Sequence, residues 1–423
     1  MERLLVTGAA RCAGTVRIAG AKNSALKLMA AALLAPGRTV LHNVPHIQDC
    51  LTMGELLDRL GAGVAWHQGS VTIDATALTS VEAPYDLVRR MRASTAVLGS
   101  LLARAGRARV AMPGGDAIGS RPIDLHVRGL RKMGAEIVSE HGFLVASTSG
   151  LRGAPITLDY PSVGATENLM MAGVLARGTT VIDNAAREPE IADLADFLEA
   201  MGARVGGAGT STIEIEGVGS LEPAEHVTIP DRIETGTWAA AAVATRGDVM
   251  LENARPDHLD LFLQKLSDAG ADVVITEGGL RITQLDRARA IDFVTLPYPG
   301  VATDFQPILM AMLATAYGTS IATENVFESR FLYVDELRRM GADIRTEGHH
   351  AVIRGVERLS AAPVRALDIR AGAAMAIAAL GADGVTEISE LHHLDRGYEG
   401  FVDKMRALGV EVRRVEEPAI RLS

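Results

Sequence analysis

The phrase LRRMGADI, residues 337–344, is one of six similar phrases in this chain of 423 residues. Each runs from an apolar helix end into a glycine, and an acid, a base or a second glycine then precedes a β-branched residue. The others are LDRLGAGV (57–64), LRKMGAEI (130–137), LEAMGARV (198–205), LSDAGADV (266–273) and MRALGVEV (405–412). Their first glycines, at Gly61, Gly134, Gly202, Gly270, Gly341 and Gly409, are 68 to 73 residues apart. This regular spacing predicts six copies of one structural unit.

Each copy also contains an Ala- and Leu-rich segment that ends on a glycine, as in AKNSALKLMAAALLAPG (21–37) and ATDFQPILMAMLATAYG (302–318). Apolar residues cover nearly all sides of these segments, which predicts buried helices. The first turn of a helix leaves four N–H groups free, and with the positive end of the helix dipole they form an anion site. The six helix starts carry Lys22, Arg92, Ser162, Arg232, Asp304 and Arg370.

The rest of each copy predicts a glycine turn, a β-branched strand, a second helix and a pair of strands. Strands joined across glycine turns and backed by helices predict an α/β fold. A chain of 423 residues is too long for one core, so we expect two domains of three copies, with a boundary near residue 229. A cleft between the domains is the expected ligand site, made electropositive by helix N-termini.

Composition excludes several classes of protein. The chain is 48% apolar and 22% charged, which is typical of a soluble globular protein. A net charge of −10 and 4% aromatic residues argue against binding to nucleic acid or to an anionic membrane surface. There is no apolar run of 18 to 20 residues and no secretory leader, so we expect no membrane insertion and a cytoplasmic location. Cys12 and Cys50 lack metal-ligand spacing, and we expect no metal site.

Eight segments, taken in order over the whole length, resemble the bacterial UDP-N-acetylglucosamine enolpyruvyl transferases. They are Lys22 with Asn23, Arg92, PGGDAIGSRPIDLH (113–126), PSVGATEN (161–168), TDFQP (303–307), TENVFESRF (323–331), DIRAGA (368–373) and HHLDRGYE (392–399). The resemblance implies transfer of the enolpyruvyl group of phosphoenolpyruvate to the 3'-hydroxyl of UDP-N-acetylglucosamine with release of phosphate, the first committed step of peptidoglycan synthesis.

The fold that this resemblance implies consists of two inside-out α/β barrels, each built from three repeats. The expected N-terminal domain is 22–229 and carries a mobile catalytic loop, 113–126. The expected C-terminal domain is 1–21 plus 230–423, because the start of the chain returns to complete it. The family implies no cofactor and two small-molecule substrates as partners, and it leaves open a weak homo-oligomer.

The same resemblance assigns the two substrate sites. The residues expected to bind phosphoenolpyruvate are Lys22, Asn23, Arg121, Arg370 and Arg396. Arginine forks suit the planar carboxylate and the phosphate oxygens of that substrate. The residues expected to bind UDP-N-acetylglucosamine are Asn23, Arg92, Arg121, Pro122, Ile123, Asp124, Leu125, Ser162, Val163, Gly164, Asp304 and Val326. For Val326, packing at a strand end is the alternative.

The expected catalytic residues are Lys22, Asp116, Asp304 and Arg396. Addition to the alkene needs a base near the sugar hydroxyl and an acid that protonates the methylene carbon. We expect Asp304 to be the base, with a helix N-cap as its alternative role. Asp116 stands where most of the family has cysteine and is the expected acid. Because fosfomycin alkylates that cysteine and a carboxylate is a poorer nucleophile, the exchange predicts fosfomycin resistance.

Three alternatives remain open from the sequence. Enolpyruvyl transfer to shikimate 3-phosphate uses the same fold, but that reaction needs no uridine site, whereas RPIDL (121–125) and PSVGATEN match one. A paralogous enolpyruvyl transferase acting on another nucleotide hydroxyl is the second alternative. The third is a regulator that binds a nucleotide sugar without catalysis.

Overall fold

The structure is a computed structural model that describes residues 2–112, 118–119 and 122–416. Its residues form two compact units. Unit 1 contains residues 2–19, 118–119 and 230–416, and unit 2 contains residues 20–112 and 122–229. Each unit has its own apolar core.

The helices of the described residues fall into an inner and an outer set. The α-helices are α1 (Lys22–Ala31), α2 (Gln48–Leu60), α3 (Tyr85–Val88), α4 (Val97–Ala105), α5 (Asp124–Lys132), α6 (Val163–Gly173), α7 (Pro189–Ala200), α8 (Arg232–Ala244), α9 (Asp260–Asp268), α10 (Gln306–Leu313), α11 (Val334–Arg339), α12 (Ile369–Leu380), α13 (His392–Asp395) and α14 (Phe401–Ala407). Short 3₁₀ segments are Ala32–Leu34, Arg92–Ala96, Pro256–His258 and Thr303–Phe305.

The strands are short, and most have five residues. They are β1 (Glu2–Thr7), β2 (Ala13–Arg17), β3 (Arg38–His42), β4 (Gly63–His67), β5 (Ser70–Asp74), β6 (Glu82–Ala83), β7 (Arg107–Ala111), β8 (Glu136–Glu140), β9 (Phe143–Ser147), β10 (Pro155–Thr157), β11 (Thr179–Asp183), β12 (Arg204–Gly206), β13 (Thr212–Glu216), β14 (Glu225–Val227), β15 (Asp248–Glu252), β16 (Asp272–Thr276), β17 (Gly279–Thr283), β18 (Phe293–Val294), β19 (Thr319–Thr323), β20 (Asp343–Glu347), β21 (His350–Arg354), β22 (Leu359–Ser360), β23 (Pro363–Arg365), β24 (Ala382–Asp383), β25 (Val385–Ser389) and β26 (Val412–Glu416).

Six four-stranded sheets repeat one topology within the described residues. In each, an edge strand pairs parallel with the strand after the inner helix, and two further antiparallel pairings complete the sheet. The orders are β14-β3-β5-β4, β6-β7-β9-β8 and β10-β11-β13-β12 in unit 2, and β2-β15-β17-β16, β18-β19-β21-β20 and β23-β25-β1-β26 in unit 1. The six predicted copies and the α/β class are confirmed.

The start of the chain completes two sheets of unit 1. Strand β2 pairs parallel with β15, with Val16 opposite Leu251. Strand β1 lies between β25 and β26, where Leu4 pairs with both Ile388 and Arg414. The first and last strands of the described residues are therefore neighbours in one sheet.

The repeated glycine turn has the same geometry in all six copies. Each first glycine has a positive φ, from 79° at Gly409 to 103° at Gly270, which residues with a Cβ adopt only at a cost. The N–H one residue later donates to a carbonyl five residues back, as from Ala62 to Leu57 and from Ala342 to Leu337. This is the Schellman hydrogen bond that ends a helix. The motif that repeats in the sequence is therefore the C-terminal cap of each outer helix.

The inner helices of the described residues are α1, α4 and α6 in unit 2 and α8, α10 and α12 in unit 1. Helices α10 and α12 bury every residue, and α8, α10 and α12 pack against one another. The sheets surround them, so each barrel has helices inside and strands outside. No helix in the described ranges is long and apolar enough to cross a membrane.

Candidate active site

The start of helix α10 holds a carboxylate between two arginines. Asp304 lies in the 3₁₀ turn before the helix, with a quarter of its side chain exposed. Arg330 Nη2 donates to Asp304 Oδ1 at 2.9 Å, and Arg370 Nε donates to Oδ2 at 3.0 Å. The N-cap role for Asp304 is wrong, because Ala302 occupies that position and the two guanidiniums take both carboxylate oxygens.

Electrostatics keep this carboxylate ionised. Burial raises the pKa of Asp304, but the nearby charges of Arg370 and Arg330 lower it by a larger amount. The pKa of Asp304 therefore lies well below its ordinary value. Burial lowers the pKa of Arg370, while Tyr398, Asp304 and Asp231 raise it, and the balance lies above the ordinary value. Asp304 and its two arginine partners thus form a charged cluster at the start of an inner helix.

A buried glutamate organises the segment that carries Arg330. Thr303 Oγ1 donates to Glu324 Oε2 at 2.9 Å, which ties the turn of Asp304 to this segment. The Val326 N–H donates to Glu324 Oε1 at 2.8 Å, so Val326 is held near the same carboxylate. Arg330 Nη1 also donates to Thr303 Oγ1, at 3.3 Å.

Helix α12 fixes the second arginine. Asp368 caps the helix and accepts hydrogen bonds from the N–H groups of Arg370, at 2.8 Å, and Ala371, at 2.9 Å. The Arg370 guanidinium lies 5.4 Å from the centre of the Tyr398 ring. Arg370 Nη1 and Arg330 Nε are buried and have no hydrogen-bond partner among the described residues. Because buried N–H groups are nearly always paired, these two donors are suited to an incoming anion.

Unit 2 presents Lys22 at the first position of α1. Its side chain is only 10% exposed, and Nζ lies 2.8 Å from Oδ2 of the buried Asp49 on α2. The backbone carbonyl of Asn23 accepts a hydrogen bond of 3.4 Å from Lys27 Nζ. Lys27 in turn pairs with Glu167 at 2.9 Å, and burial raises the pKa of Glu167 to about 7 despite that lysine.

The start of α6 brings two predicted nucleotide segments together. Ser162 caps the helix, with its hydroxyl accepting from the Ala165 N–H at 3.3 Å. A Cβ placed on Gly164 would lie 3.2 Å from Cε1 and 3.3 Å from Nε2 of His126. Since His126 directly follows Leu125, the end of the segment 122–125 lies beside Ser162–Gly164.

Asn168 connects this region to the start of α4. Its Oδ1 accepts from the Gly99 N–H at 2.8 Å, and its Nδ2 lies 3.1 Å from the Thr95 carbonyl and 3.0 Å from His126 Nδ1. Burial lowers the pKa of His126 to about 4, and the charge of Arg92 contributes to the same shift. His126 is therefore neutral at pH 7, and Arg92 lies near enough to affect it.

The predicted site residues thus fall into three sets, which are the residues of unit 2, the residues of unit 1 and the residues outside the described ranges. Unit 2 holds Lys22, Asn23, Arg92, Pro122, Ile123, Asp124, Leu125, Ser162, Val163 and Gly164, and unit 1 holds Asp304, Val326, Arg370 and Arg396. Arg396 is partly exposed and follows the short helix α13. Asp116 and Arg121 lie outside the described residues. Next to them in the chain, Ile118 belongs to unit 1, where its carbonyl accepts from the Ser329 N–H at 3.2 Å.

Sequence reasoning missed Arg330, Glu324, His126 and Asn168 as individual contributors. The first two were visible only as letters of TENVFESRF, and the last two only as the ends of their motifs. One usable signal was a charged residue directly before the apolar run FLYV (331–334), since Arg330 is 97% buried. Among the described residues, no group of three or more His, Cys, Asp or Glu side chains could hold a metal ion.

The chain is similar to known proteins over nearly its whole length. A family model described as EPSP synthase (3-phosphoshikimate 1-carboxyvinyltransferase) matches residues 6–405. The chain belongs to this family. It is 52% identical over 415 residues to the UDP-N-acetylglucosamine 1-carboxyvinyltransferase of Corynebacterium jeikeium, covering 98% of this chain and 99% of that one. It is 54% identical over 420 residues to the enzyme of the same name from Nocardia farcinica, with 98% and 99% covered.

Solved structures show the same fold. The enolpyruvyl transferase NikO from Streptomyces tendae superposes with a TM-score of 0.88 at 27% identity, covering 99% of both chains. EPSP synthase from Acinetobacter baumannii has a TM-score of 0.75 at 19% identity, covering 98% of this chain and 100% of that one. The enolpyruvyl transferase fold and the resemblance to the UDP-N-acetylglucosamine branch of the family are confirmed.

Proposed function

We propose that this protein transfers the enolpyruvyl group of phosphoenolpyruvate to the 3'-hydroxyl of UDP-N-acetylglucosamine and releases phosphate. The relatives that share about half of its sequence over nearly the full length carry the name of this activity. In a bacterial cell this step would commit the sugar nucleotide to peptidoglycan, and we propose that it takes place in the cytoplasm. A weak homo-oligomer stays a prediction.

The observation that carries the proposal is the Asp304, Arg330 and Arg370 group. It combines a carboxylate that can accept a hydroxyl proton with two buried guanidiniums, each of which has a nitrogen without a hydrogen-bond partner among the described residues. Phosphoenolpyruvate supplies a carboxylate and a phosphate that match such donors. We assign Arg370, with Arg396, Lys22, Asn23 and Arg121, to this substrate, and the geometry adds Arg330 to the set.

Proton transfer completes the reaction. The sugar oxygen bonds to C2 of phosphoenolpyruvate while its proton leaves to a base and the C3 methylene gains a proton from an acid. The C2–O bond to phosphate then breaks, and C3 loses a proton, which restores the double bond as a vinyl ether. We assign the base to Asp304. Since two arginines lower its pKa, it is a weak base until an anion draws one guanidinium away, so substrate binding and base activation are coupled.

We assign the acid to Asp116, assisted by Lys22 and Arg396. An ordinary aspartate is protonated in about one molecule in a thousand at pH 7, so acid catalysis needs a raised pKa in the substrate complex. Asp116→Asn should abolish turnover, whereas Asp116→Cys should retain activity and become covalently inactivated by fosfomycin. Phosphate release and the mass of the intact protein measure both effects. An active Asn variant, or alkylation of the unchanged protein by fosfomycin, would remove this assignment.

The residues of unit 2 support a nucleotide site. The N–H groups of Val163 and Gly164, which make no hydrogen bond to the described residues, and the adjoining segment 122–125 suit the diphosphate and the uridine, with Arg92 on the nucleotide side. Asn23, Asp304 and Val326 are assigned to the sugar. A cleft between the two units as the common site stays a prediction.

A phosphate-release assay with identification of the product tests the function. With phosphoenolpyruvate and UDP-N-acetylglucosamine together, we expect one phosphate per molecule of a vinyl ether product, and no release with either substrate alone. Shikimate 3-phosphate should not replace the sugar nucleotide. Preference for another uridine nucleotide would support the second candidate, a paralogous enolpyruvyl transferase that acts on another nucleotide hydroxyl. Ligand binding without phosphate release would support the non-catalytic regulator.

A further inference from the structure

The side chain of Tyr398 is buried beside one of the two arginines that hold Asp304. Tyr398 is only 4% exposed, and the centre of its ring lies 5.4 Å from the guanidinium carbon of Arg370. The segment that carries this tyrosine packs directly on the start of α12, because a Cβ on Gly397 would lie 2.3 Å from Cγ2 of Ile369. Since Ile369 and Arg370 are the first two residues of α12, the backbone also keeps the tyrosine close to the arginine.

Hydrogen bonding fixes the direction of the Tyr398 hydroxyl proton. The hydroxyl oxygen lies 2.9 Å from Oγ1 of Thr237, a fully buried residue of α8. Thr237 Oγ1 donates its own proton to the backbone carbonyl of Ile233 at 2.8 Å. Because a hydroxyl carries only one proton, Tyr398 must be the donor in its hydrogen bond to Thr237. The tyrosine is therefore anchored to α8 through its hydroxyl.

The charge of Arg370 reaches the same hydroxyl. Burial raises the pKa of Tyr398, while the positive charge of Arg370 and the hydrogen bond with Thr237 lower it by a smaller amount, so the pKa lies above its ordinary value. Tyr398 is therefore neutral at pH 7. Because its proton is directed at Thr237, the oxygen offers its lone pairs to the guanidinium. A neutral oxygen attracts the arginine without adding a negative charge that would oppose an anionic substrate.

Arg370 has one printed side-chain anchor besides the tyrosine. Its Nε donates to Asp304 Oδ2 at 3.0 Å, whereas the buried Nη1 has no hydrogen-bond partner among the described residues. A long side chain held at one nitrogen keeps freedom in its other torsions, and the loss of that freedom weakens ligand binding. Tyr398 restricts the guanidinium from a second side. Three inner helices of unit 1 contribute to this arrangement, since α12 carries Arg370, the turn before α10 carries Asp304 and α8 carries the anchor of the tyrosine.

We propose that Tyr398, anchored by Thr237, is a positioning residue that holds the Arg370 guanidinium in place for phosphoenolpyruvate. This inference rests on the proposed function and deepens it, because it explains how one substrate arginine is placed before the substrate arrives. A guanidinium that is already fixed loses less freedom on binding, so the tyrosine lowers the KM for phosphoenolpyruvate without contacting that substrate. Arg370 is assigned to phosphoenolpyruvate alone, so the KM for the sugar nucleotide is independent of the tyrosine.

Removal of the tyrosine hydroxyl tests this role. We expect Tyr398→Phe to raise the KM for phosphoenolpyruvate about fivefold, as loss of one neutral hydrogen bond does. The kcat and the KM for UDP-N-acetylglucosamine should change less than about twofold, because the lost interaction affects binding of one substrate and not the chemistry. Tyr317→Phe is the matched control, since that exposed ring lies 6.0 Å from the guanidinium of Arg287, which is not among the predicted site residues. It should have the kinetic constants of the unchanged protein.

Variants of Thr237 test the anchor while the tyrosine is unchanged. Thr237→Val removes the acceptor and should raise the KM for phosphoenolpyruvate about as much as Tyr398→Phe does. The double variant should be no worse than either single variant, because both changes break the same connection. Thr237→Ser keeps the hydroxyl and should have the KM of the unchanged protein. A role limited to stability would lower the free energy of unfolding in these variants without this pattern in KM.

Three results would overturn the inference while the proposed function stands. They are an unchanged KM for phosphoenolpyruvate in Tyr398→Phe, an equal rise of the KM for both substrates, and additive effects in the double variant. If Tyr398→Phe does not fold, the comparison of Thr237→Val with Thr237→Ser decides, and equal KM values for phosphoenolpyruvate in the two would contradict the proposal. If the unchanged protein released no phosphate with both substrates present, the proposed function itself would fail.

Discussion

The starts of helices α10 and α6 occupy equivalent places in two copies of the repeat, yet the side chains around them are charged at α10 and neutral at α6. At α10, the charged Asp304 lies between two charged arginines, and both carboxylate oxygens are engaged. At α6, the helix begins with Ser162, Val163 and Gly164, and the side chain beside it is a neutral histidine.

Under the proposed function, this difference lets one repeated scaffold support two tasks. A carboxylate with a low pKa between two guanidiniums suits proton transfer and the recognition of a small, highly charged substrate. Free backbone N–H groups beside a glycine suit close approach of a diphosphate. The repeat supplies the helix start in both cases, and side chains from other segments decide its chemistry.

The largest expected effect is the loss of the proposed base at α10. Asp304→Asn keeps the size of the side chain and one of its two acceptor oxygens but cannot accept the hydroxyl proton. We expect kcat for phosphate release to fall about a thousandfold, within the range of general base catalysis. Asp335→Asn, at an exposed aspartate of α11, serves as control and should retain full activity. Turnover within tenfold of the unchanged protein would exclude Asp304 as the base.

A smaller effect is expected from the arginine that sequence reasoning missed. Arg330→Met removes one of the charges that lower the pKa of Asp304, so that pKa rises. The base is then protonated at higher pH, and the acidic limb of the kcat profile should move to higher pH, with kcat reduced about a hundredfold at pH 7. Arg339→Met, at an exposed arginine, should leave the profile in place. An unmoved acidic limb would argue against the coupling.

At α6, the neutral histidine predicts a dependence of stability on pH. The pKa of His126 is about 4 in the folded protein and about 6.5 in the unfolded chain, so only the unfolded chain binds the proton between these values. Stability from this group is complete above pH 6.5 and is lost as the pH falls toward 4. Between pH 7.5 and 5 the loss is about 2 kcal/mol.

His126→Phe removes this proton-binding difference. We therefore measure, with urea, the free energy of unfolding of the variant minus that of the unchanged protein. This difference should be about 2 kcal/mol more positive at pH 5 than at pH 7.5. His67→Phe, at an exposed histidine of β4, should show no such change between the two pH values. If the free energies of unfolding of the His126→Phe variant and the unchanged protein differed by the same amount at both pH values, His126 would titrate normally in the folded protein.

The smallest effect is expected from a single methyl group at the start of α6. Gly164→Ala places a Cβ at 3.2 to 3.3 Å from the His126 ring, which must shift by a few tenths of an ångström. We expect affinity for UDP-N-acetylglucosamine to fall about fivefold, while stability changes by less than about 1 kcal/mol because alanine favours the helix. Gly219→Ala, where a Cβ would meet nothing, is the control. Unchanged affinity would show that this contact does not position the ring.

The sequence predicted the repeat well because each glycine cap is local. A helix end, a positive-φ glycine and a β-branched strand lie within eight residues of one another, as at Leu337 to Ile344. The inner helices were equally visible, because their apolar character is continuous along the chain. The fold class therefore followed from short-range signals repeated six times.

The partners within the site could not be predicted in the same way. Arg330 contacts Asp304 across 26 residues and Asn168 contacts His126 across 42, and no local pattern connects either pair. Family resemblance supplied Asp304 and Arg370 as site members, but their direct ion pair became visible only in the fold. Lys22 likewise revealed its partner Asp49 only when α1 and α2 were placed together.

The division of tasks between the two helix starts is tested most directly by the affinity of Asp304→Asn for UDP-N-acetylglucosamine, measured by calorimetry beside His126→Phe. Because asparagine keeps an acceptor oxygen for the sugar, we predict that Asp304→Asn binds the nucleotide within about threefold of the unchanged protein, whereas His126→Phe binds about tenfold more weakly. Equal losses of affinity in the two variants would contradict the account.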